Sequence, residues 1–204
     1  MLSPDEIRTK NQRTILMLIG AFILPVVMAY IVYINSTGVG RTKNHGELIT
    51  PARPLVGLNL TTLDGKPYTV AELKGSWHLI YIGKDKCDQS CSDSLSKMHQ
   101  SRLAQGKAMS RLGLIYITSA APDSRTVDAL AKKISHLTIA TYKPESVAKL
   151  KTQFASHSQD DVLGANRIYM VDPLGNLMMQ YKSDVTLIGI IKDLEHLMRI
   201  SQVG

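Results

Sequence analysis

Residues 14–34 form an unbroken apolar segment, and this feature restricts the fold of the chain more than any other. The 21 residues, TILMLIGAFILPVVMAYIVYI, contain no charged side chain. Because a helix rises about 1.5 Å per residue, the segment covers the roughly 30 Å hydrocarbon core of a bilayer. Pro25 lies near its middle, where a membrane helix tolerates proline. The segment therefore predicts one transmembrane helix.

Charges on either side of this segment predict its orientation. Arg8, Lys10 and Arg13 precede it, so the positive-inside rule places residues 1–13 in the cytoplasm and the rest of the chain beyond the membrane. Arg41 and Lys43 follow it and reduce the asymmetry without reversing it. A cleaved signal peptide is the alternative, although its apolar region is usually only about 7–15 residues long.

The remaining chain divides into a predicted linker and one predicted domain. Residues 35–54 are rich in Gly, Pro, Ser and Thr and show no periodicity, which is typical of a linker. Residues 55–204 have the length and pattern of a single globular domain. The formal net charge is +7, but the basic residues are scattered. This excludes nucleic-acid binding and favours anionic lipid or an acidic protein partner.

The domain alternates predicted strands and helices. Buried strands are predicted at 77–82 and 112–118, because both runs are short and apolar. The other predicted strands are 57–62, 67–70, 137–140, 167–171 and 177–181. The predicted helices are 90–103, 123–134, 144–151 and 185–200. This order is typical of a thioredoxin-like α/β sandwich, a central sheet flanked by helices, although other α/β sandwiches also fit it.

The chain has two cysteines, Cys87 and Cys91, four residues apart. One pair in a domain of this size is not a disulfide scaffold and indicates a redox or metal-binding pair, with a static disulfide as the alternative. Cys87 follows a predicted strand and Cys91 falls in the first turn of a predicted helix. Cβ atoms four residues apart in a helix are about 5–6 Å apart, which is too far for a disulfide. Cys87 must therefore lie outside regular helix if the pair closes.

Charges near the pair affect thiolate stability in opposite directions. Unpaired N–H groups at a helix start favour a thiolate, as do the ammonium groups of Lys84 and Lys86. Asp85 and Asp88 oppose this effect. The predicted lowering of a thiol pKa is therefore small.

The chain resembles the Sco/SenC family of copper chaperones and thiol-disulfide proteins that serve cytochrome c oxidase assembly. The resemblance rests on the anchor, on Gly83, Cys87 and Cys91 in a strand–G-x-x-x-C-x-x-x-C–helix motif, and on the closing hairpin with Asp172-Pro173-Leu174-Gly175. It implies a periplasmic domain on an inner-membrane anchor. It also implies copper bound by Cys87 and Cys91, and a partner that is an oxidase subunit or another assembly factor.

Two departures from the family pattern bear on copper. Asp88 and Ser92 stand where the family usually has prolines. Asn166 stands where the family has its histidine ligand, and an amide is a poor ligand for a soft metal. The chain is thus identified as a divergent member without that histidine, in which copper is in doubt and thiol exchange is retained. His157 is one alternative ligand, and a methionine among Met170, Met178 and Met179 is the other. His99 is too far, since it lies about 12 Å from Cys91 by helical rise.

Three functions remain open. The first is thiol-disulfide exchange, in which Cys87 attacks and Cys91 resolves, or the reverse. The second is Cu(I) delivery as a metallochaperone, and the third is a redox-inert assembly scaffold. The other histidines and the nearby methionines are assigned packing or surface positions: His78 in the core, His45, His136 and His196 at the surface, and Met170, Met178 and Met179 in packing.

Overall fold

A computed structural model describes residues 4–36, 44–84, 86–119, 124–156 and 160–201. The chain forms two compact units, residues 1–43 and 44–204. The start of the predicted helix at residue 123, the opposing charge predicted at Asp85 and the candidate ligand His157 lie outside the described residues.

The first unit contains one helix, α1 (Pro4–Ser36), which includes the whole apolar segment. Residues Asn11–Val32 are long and apolar enough to cross a membrane, and their side chains are exposed. Pro25 lies inside the helix, as expected for a tolerated membrane proline. The predicted membrane span is therefore confirmed as a candidate, while its orientation stays a prediction.

Over its described residues, the second unit is an eight-stranded mixed sheet with four α-helices. The strands are β1 (Glu47–Pro54), β2 (Leu60–Thr62), β3 (Pro67–Tyr68), β4 (Trp77–Ile82), β5 (Leu112–Thr118), β6 (Leu137–Tyr142), β7 (Ile168–Val171) and β8 (Asn176–Tyr181). The helices are α2 (Gln89–Ala104), α3 (Ser124–Lys133), α4 (Val147–Phe154) and α5 (Leu187–Ile200). The thioredoxin-like α/β class is confirmed.

The strands lie in the order β1-β8-β7-β4-β5-β6-β2-β3. β4, β5 and β6 are parallel to one another, and the remaining pairs are antiparallel. β4 is buried along its whole length, because a central strand in such a sheet is covered on both faces. This explains why its sequence is a continuous apolar run and not an alternating one.

The two faces of the sheet carry separate hydrophobic cores. On one face Leu79 and Tyr81 of β4 pack with Leu95 of α2 and Leu194 of α5. On the other face Ile80 and Ile82 pack in a core that includes Leu150 and Phe154 of α4. The side chains of β4 thus alternate between the cores, with α2 and α5 on one side and α4 on the other.

The predicted linker is corrected at its end, because Glu47–Pro54 is strand β1 and pairs with β8. The compact unit starts at Asn44, not at residue 55. No strand is predicted from the sequence at residues 47–54, because β1 is an exposed edge strand whose register shifts between Leu48 and Arg53. Proline is tolerated on such an edge.

The segment just before β1 is fixed by a buried carboxylate. Asp193 of α5 is 3% exposed, and its oxygens accept hydrogen bonds from the backbone N–H groups of His45 and Gly46 at 2.9–3.0 Å. The ring of His45 also lies 3.1 Å from this carboxylate. Asp193 therefore positions the first residues of the domain against α5.

Candidate functional site

The cysteine loop leaves the carboxyl end of β4 and is tied to the neighbouring strand β5. The N–H of Gly83 donates to the carbonyl of Ile117, and the hydroxyl of Thr118 donates to the carbonyl of Lys84, both at 2.9 Å. A Cβ atom at position 83 would lie 2.9 Å from the Tyr116 ring, which is closer than packing allows. Glycine is thus required there for the loop to pass the tyrosine.

Cys87 and Cys91 are joined in a disulfide, with their Cα atoms 5.1 Å apart. Asp88 is the N-cap of α2, so Cys87 precedes the helix and Cys91 is its third residue. The spacing argument predicted this arrangement, with the first cysteine outside regular helix. The pair closes because Cys87 has no helical constraint on its backbone.

The two sulfur-bearing residues differ in exposure. Cys91 is 2% exposed and belongs to the core beneath α2, whereas Cys87 is half-buried at the edge of that core. A partner molecule therefore has better access to Cys87. Their roles in catalysis stay a prediction.

Asp88 caps α2 directly at the pair. Its Oδ1 accepts a hydrogen bond from the N–H of Cys91 at 2.9 Å. From sequence, Asp88 is predicted only as an opposing charge, with the helix N–H groups free. The preference for aspartate at an N-cap could have revealed this role, since Asp88 lies immediately before the predicted helix.

A small cleft of about 80 Å³ lies beside Cys91 between two segments. We define the near wall as residues 83–84 and 86–91, and the far wall as residues 160–167. Tyr81 lies at the base, and the lining includes Lys86 from the near wall with Leu163 and Asn166 from the far wall. The structure therefore brings Asn166 to the cysteine pair, as the resemblance implied for the position of the family's histidine.

Asn166 is fixed on both its backbone and its side chain. Its φ is 50°, in the left-handed region that few residues other than glycine adopt. The hydroxyl of Tyr81 donates to its Oδ1 at 2.7 Å. Burial raises the pKa of Tyr81, and the charge of Asp88 adds to this effect. The hydroxyl is thus a stable donor.

The lysines near the pair are not buried against it. Lys84 lies 3.8 Å from the carboxylate of Asp161, and both side chains are largely exposed. Lys86 is also exposed and lines the cleft. Their charges are therefore solvent-screened, so their effect on a thiolate is weak.

A second ion pair anchors the far wall. Asp160 accepts a hydrogen bond from Arg167 at 2.9 Å, and their side chains are only 15% and 19% exposed. Asp160 also accepts from the backbone N–H of Ser156 at 2.9 Å, and Arg167 donates to Gln180 of β8 at 3.2 Å. Sequence reasoning missed this pair, because no local motif joins residues 160 and 167.

The described residues contain no cluster of three or more His, Cys, Asp or Glu side chains suited to a metal ion. At the disulfide the third candidate is the amide of Asn166, whose oxygen already accepts from Tyr81. Two thiolates and such an amide fit a soft metal poorly.

The other predicted positions are mostly confirmed. His78 is buried at 6% exposure, Met170 and Met179 are fully buried, Met178 packs against the same core, and His136 and His196 are exposed. His45 differs from a free surface residue, because its ring contacts Asp193.

Comparisons with known proteins agree with this architecture. The copper-bound ScoI of Arabidopsis thaliana is 18% identical with a TM-score of 0.60, covering 72% of this chain and 99% of that one. The copper-bound ScoI of Bradyrhizobium japonicum is 24% identical with a TM-score of 0.53, covering 71% and 98%. The thioredoxin domain of a thiol-disulfide oxidoreductase from Bacteroides vulgatus is 11% identical with a TM-score of 0.54, covering 73% and 99%. At these identities the likeness establishes the fold.

The predicted resemblance to Sco/SenC proteins is confirmed, since Sco structures are among those the chain matches. The divergence of the copper site stays a prediction. No curated protein matches the sequence. The model of one protein family, described as "Transmembrane-like, thioredoxin-like, C-terminal domain", matches residues 77–201. The chain belongs to this transmembrane-like, thioredoxin-like family.

Proposed function

We propose that the protein is a membrane-anchored periplasmic thiol-disulfide oxidoreductase that assists assembly of the copper centre of cytochrome c oxidase. The observation that carries the proposal is the Cys87–Cys91 disulfide at the start of α2, beside an open cleft. The thioredoxin-like fold and the one candidate span found in the described residues support it. The task would be to keep the copper-ligand cysteines of an oxidase subunit reduced.

The greater exposure of Cys87 supports an order of steps in which Cys87 attacks and Cys91 resolves. In the reduced protein the Cys87 thiolate attacks a partner disulfide, forming a mixed disulfide and releasing one partner thiolate, which takes a proton. Cys91 then attacks Cys87, the mixed disulfide breaks, and the second partner sulfur leaves as a thiolate. The partner gains two electrons and two protons, and Cys87–Cys91 becomes a disulfide. A protein dithiol must reduce the pair again.

The two cysteine variants should differ in cells. We expect Cys91→Ser to accumulate a mixed disulfide through Cys87, because the resolving thiol is absent, and Cys87→Ser to trap none. Both variants should lose most oxidase activity. Non-reducing electrophoresis with an epitope-tagged chain measures trapping, and oxidase spectra measure assembly.

Ser92→Ala is the matched control, since it removes a neighbouring side chain of α2 and leaves the disulfide intact. It should behave like the wild type. Full oxidase activity in both cysteine variants would instead support the redox-inert scaffold.

The second candidate is a Cu(I)-binding metallochaperone. It is favoured by the two ScoI structures, which hold copper. Asn166 disfavours it here, because its amide replaces an imidazole. We expect Asn166→His to tighten Cu(I) binding at least about tenfold, measured by competition with a chromophoric Cu(I) chelator.

His157→Ala provides the counter-test for that prediction. A wild-type protein that binds one Cu(I) tightly, and loses it in His157→Ala, would establish the chaperone function. If the wild type binds Cu(I) weakly and His157→Ala binds it equally weakly, the result supports the thiol-disulfide oxidoreductase function.

A further inference from the structure

We propose that the side-chain amide of Asn166 donates a hydrogen bond to the sulfur of Cys91 when the pair is reduced, and that Tyr81 is the positioning residue that orients this amide. The inference rests on the proposed thiol-disulfide exchange and adds a residue to it. Neither side chain belongs to the cysteine motif. Tyr81 precedes the motif, and Asn166 lies 85 residues beyond Tyr81.

The first step is the orientation of the amide. The hydroxyl of Tyr81 donates to Oδ1 of Asn166 at 2.7 Å, and Tyr81 itself is 1% exposed at the end of β4. An amide has one oxygen acceptor and one NH₂ group with two donors. With the oxygen engaged by Tyr81, the group that Asn166 offers to the cleft is a donor.

The second step is the backbone of Asn166. Its left-handed φ of 50° is uncommon for a residue with a side chain, and such conformations persist where surrounding contacts hold them. The next residue, Arg167, fixes this part of the backbone through its hydrogen bond to Asp160. The amide is thus carried on a fixed segment, which is what a pre-organised donor requires.

The third step is the choice of sulfur. Cys91 lines the cleft together with Asn166 and Tyr81, whereas Cys87 packs at the edge of the core. The acid that lines the cleft, Asp88, already accepts from the N–H of Cys91 and cannot donate to sulfur. The lysines of the near wall are exposed. Asn166 is therefore the partly buried donor beside Cys91.

This hydrogen bond favours the reduced form of the cysteine pair, and it favours Cys91 over Cys87 as the leaving group. When a dithiol reductant attacks Cys87, the S–S bond breaks and Cys91 leaves as a thiolate, which a hydrogen-bond donor stabilises. The second reductant thiol then attacks the mixed disulfide and releases Cys87. The reductant becomes a disulfide, and its two protons end on the two cysteines.

The test is the equilibrium between the full-length chain in detergent micelles and reduced and oxidised dithiothreitol. Asn166→Asp keeps an oxygen that accepts from Tyr81 but replaces the donor with an anion. We expect the equilibrium constant for reduction to fall about tenfold, or about 30 mV. Asn166→Ala should show a smaller fall, and Tyr81→Phe the smallest, since the amide remains but is no longer oriented.

Asn59→Asp is the matched control, because it makes the same charge change at an exposed asparagine outside the cleft. Its equilibrium constant should equal the wild-type value. A fall in Asn166→Ala, which adds no charge, attributes the effect to the lost donor. A wild-type value in Asn166→Asp would instead mean that neither the lost donor nor the added charge at position 166 acts on the sulfur. That result overturns the donor proposal, even if Asn166→Ala fails to fold.

The failure of the two proposals can be distinguished. An unchanged equilibrium constant in Asn166→Asp and Asn166→Ala overturns the donor role while cysteine trapping in cells still supports exchange. Normal oxidase assembly in Cys87→Ser and Cys91→Ser cells overturns the exchange function, whereas a fall in the equilibrium constant of Asn166→Ala still supports the donor.

Discussion

The near and far walls of the cleft are built in different ways. The near wall is local: its disulfide joins residues four apart, and its helix cap joins Asp88 to Cys91. The far wall depends on distant residues, since Asn166 bonds to Tyr81 and Arg167 bonds to Gln180 of β8. The two cysteines therefore lie on a locally encoded segment, and their environment is supplied by a segment that only the complete fold places there.

The ion pairs at the far wall extend this comparison. Lys84–Asp161 bridges the walls at 3.8 Å with both side chains largely exposed, whereas Asp160–Arg167 lies within the far wall at 2.9 Å and is mostly buried. Exposed pairs contribute about 0–1 kcal/mol, while breaking a buried pair leaves an uncompensated charge. The far wall should thus depend on its internal pair and not on the bridge.

The largest predicted effect concerns strand β4, which belongs to the sheet that carries both walls. Burial lowers the pKa of His78 on β4 to about 4, against about 6.5 in the unfolded chain. The unfolded state therefore binds a proton between these values and the folded state does not. Stability is complete above about pH 6.5 and falls by up to about 3 kcal/mol as the pH approaches 4.

Urea unfolding of the full chain at several pH values measures this loss. His78→Gln should flatten the profile between pH 6.5 and 4, because a buried ionisable ring is removed. His196→Gln is the control, since that ring is exposed on α5. An unaltered pH profile in His78→Gln would contradict the prediction.

The next effect separates the two ion pairs. Arg167→Met should lower the free energy of unfolding by about 2 kcal/mol, because the mostly buried carboxylate of Asp160 loses its ion pair with Arg167. Lys84→Met, the matched change at the exposed pair, should cost less than about 0.5 kcal/mol. Urea unfolding checks both, and equal losses would remove the proposed difference between the pairs.

The smallest effect concerns the near wall alone. Asp88→Ala should lower the free energy of unfolding by about 1 kcal/mol, the usual loss for an N-cap. It should also favour the reduced pair, because a negative charge leaves and the N–H of Cys91 is freed to meet a thiolate. The dithiothreitol equilibrium measures this shift.

Asp93→Ala is the control for Asp88→Ala. It removes an exposed aspartate from the same helix, where the side chain accepts from Gln89 and not from a backbone N–H. Equal losses of stability in the two variants would show that charge, and not capping, accounts for the effect.

The elements predicted best are those with a strong local pattern. The strands at 77–82 and 112–118 have the predicted bounds, because a short apolar run can only be covered on both faces of a sheet. The turn at Asp172 also follows from its residues, since the carboxylate of Asp172 accepts from the N–H groups of Leu174 and Asn176. Strand β1 was missed, because an exposed edge strand with two prolines carries no alternation.

The sequence by itself determined the apolar span, the alternating strands and helices, and a cysteine pair whose first member lies outside regular helix. These depend on periodicity, length and spacing over a few residues. Tertiary structure alone decided that β1 joins β8, that Asp160 pairs with Arg167, and that Tyr81 donates to Asn166 at the cleft lined by Cys91. Hydrogen bonds between residues far apart in the chain depend on where the sheet brings strand ends together, and no local pattern records that position.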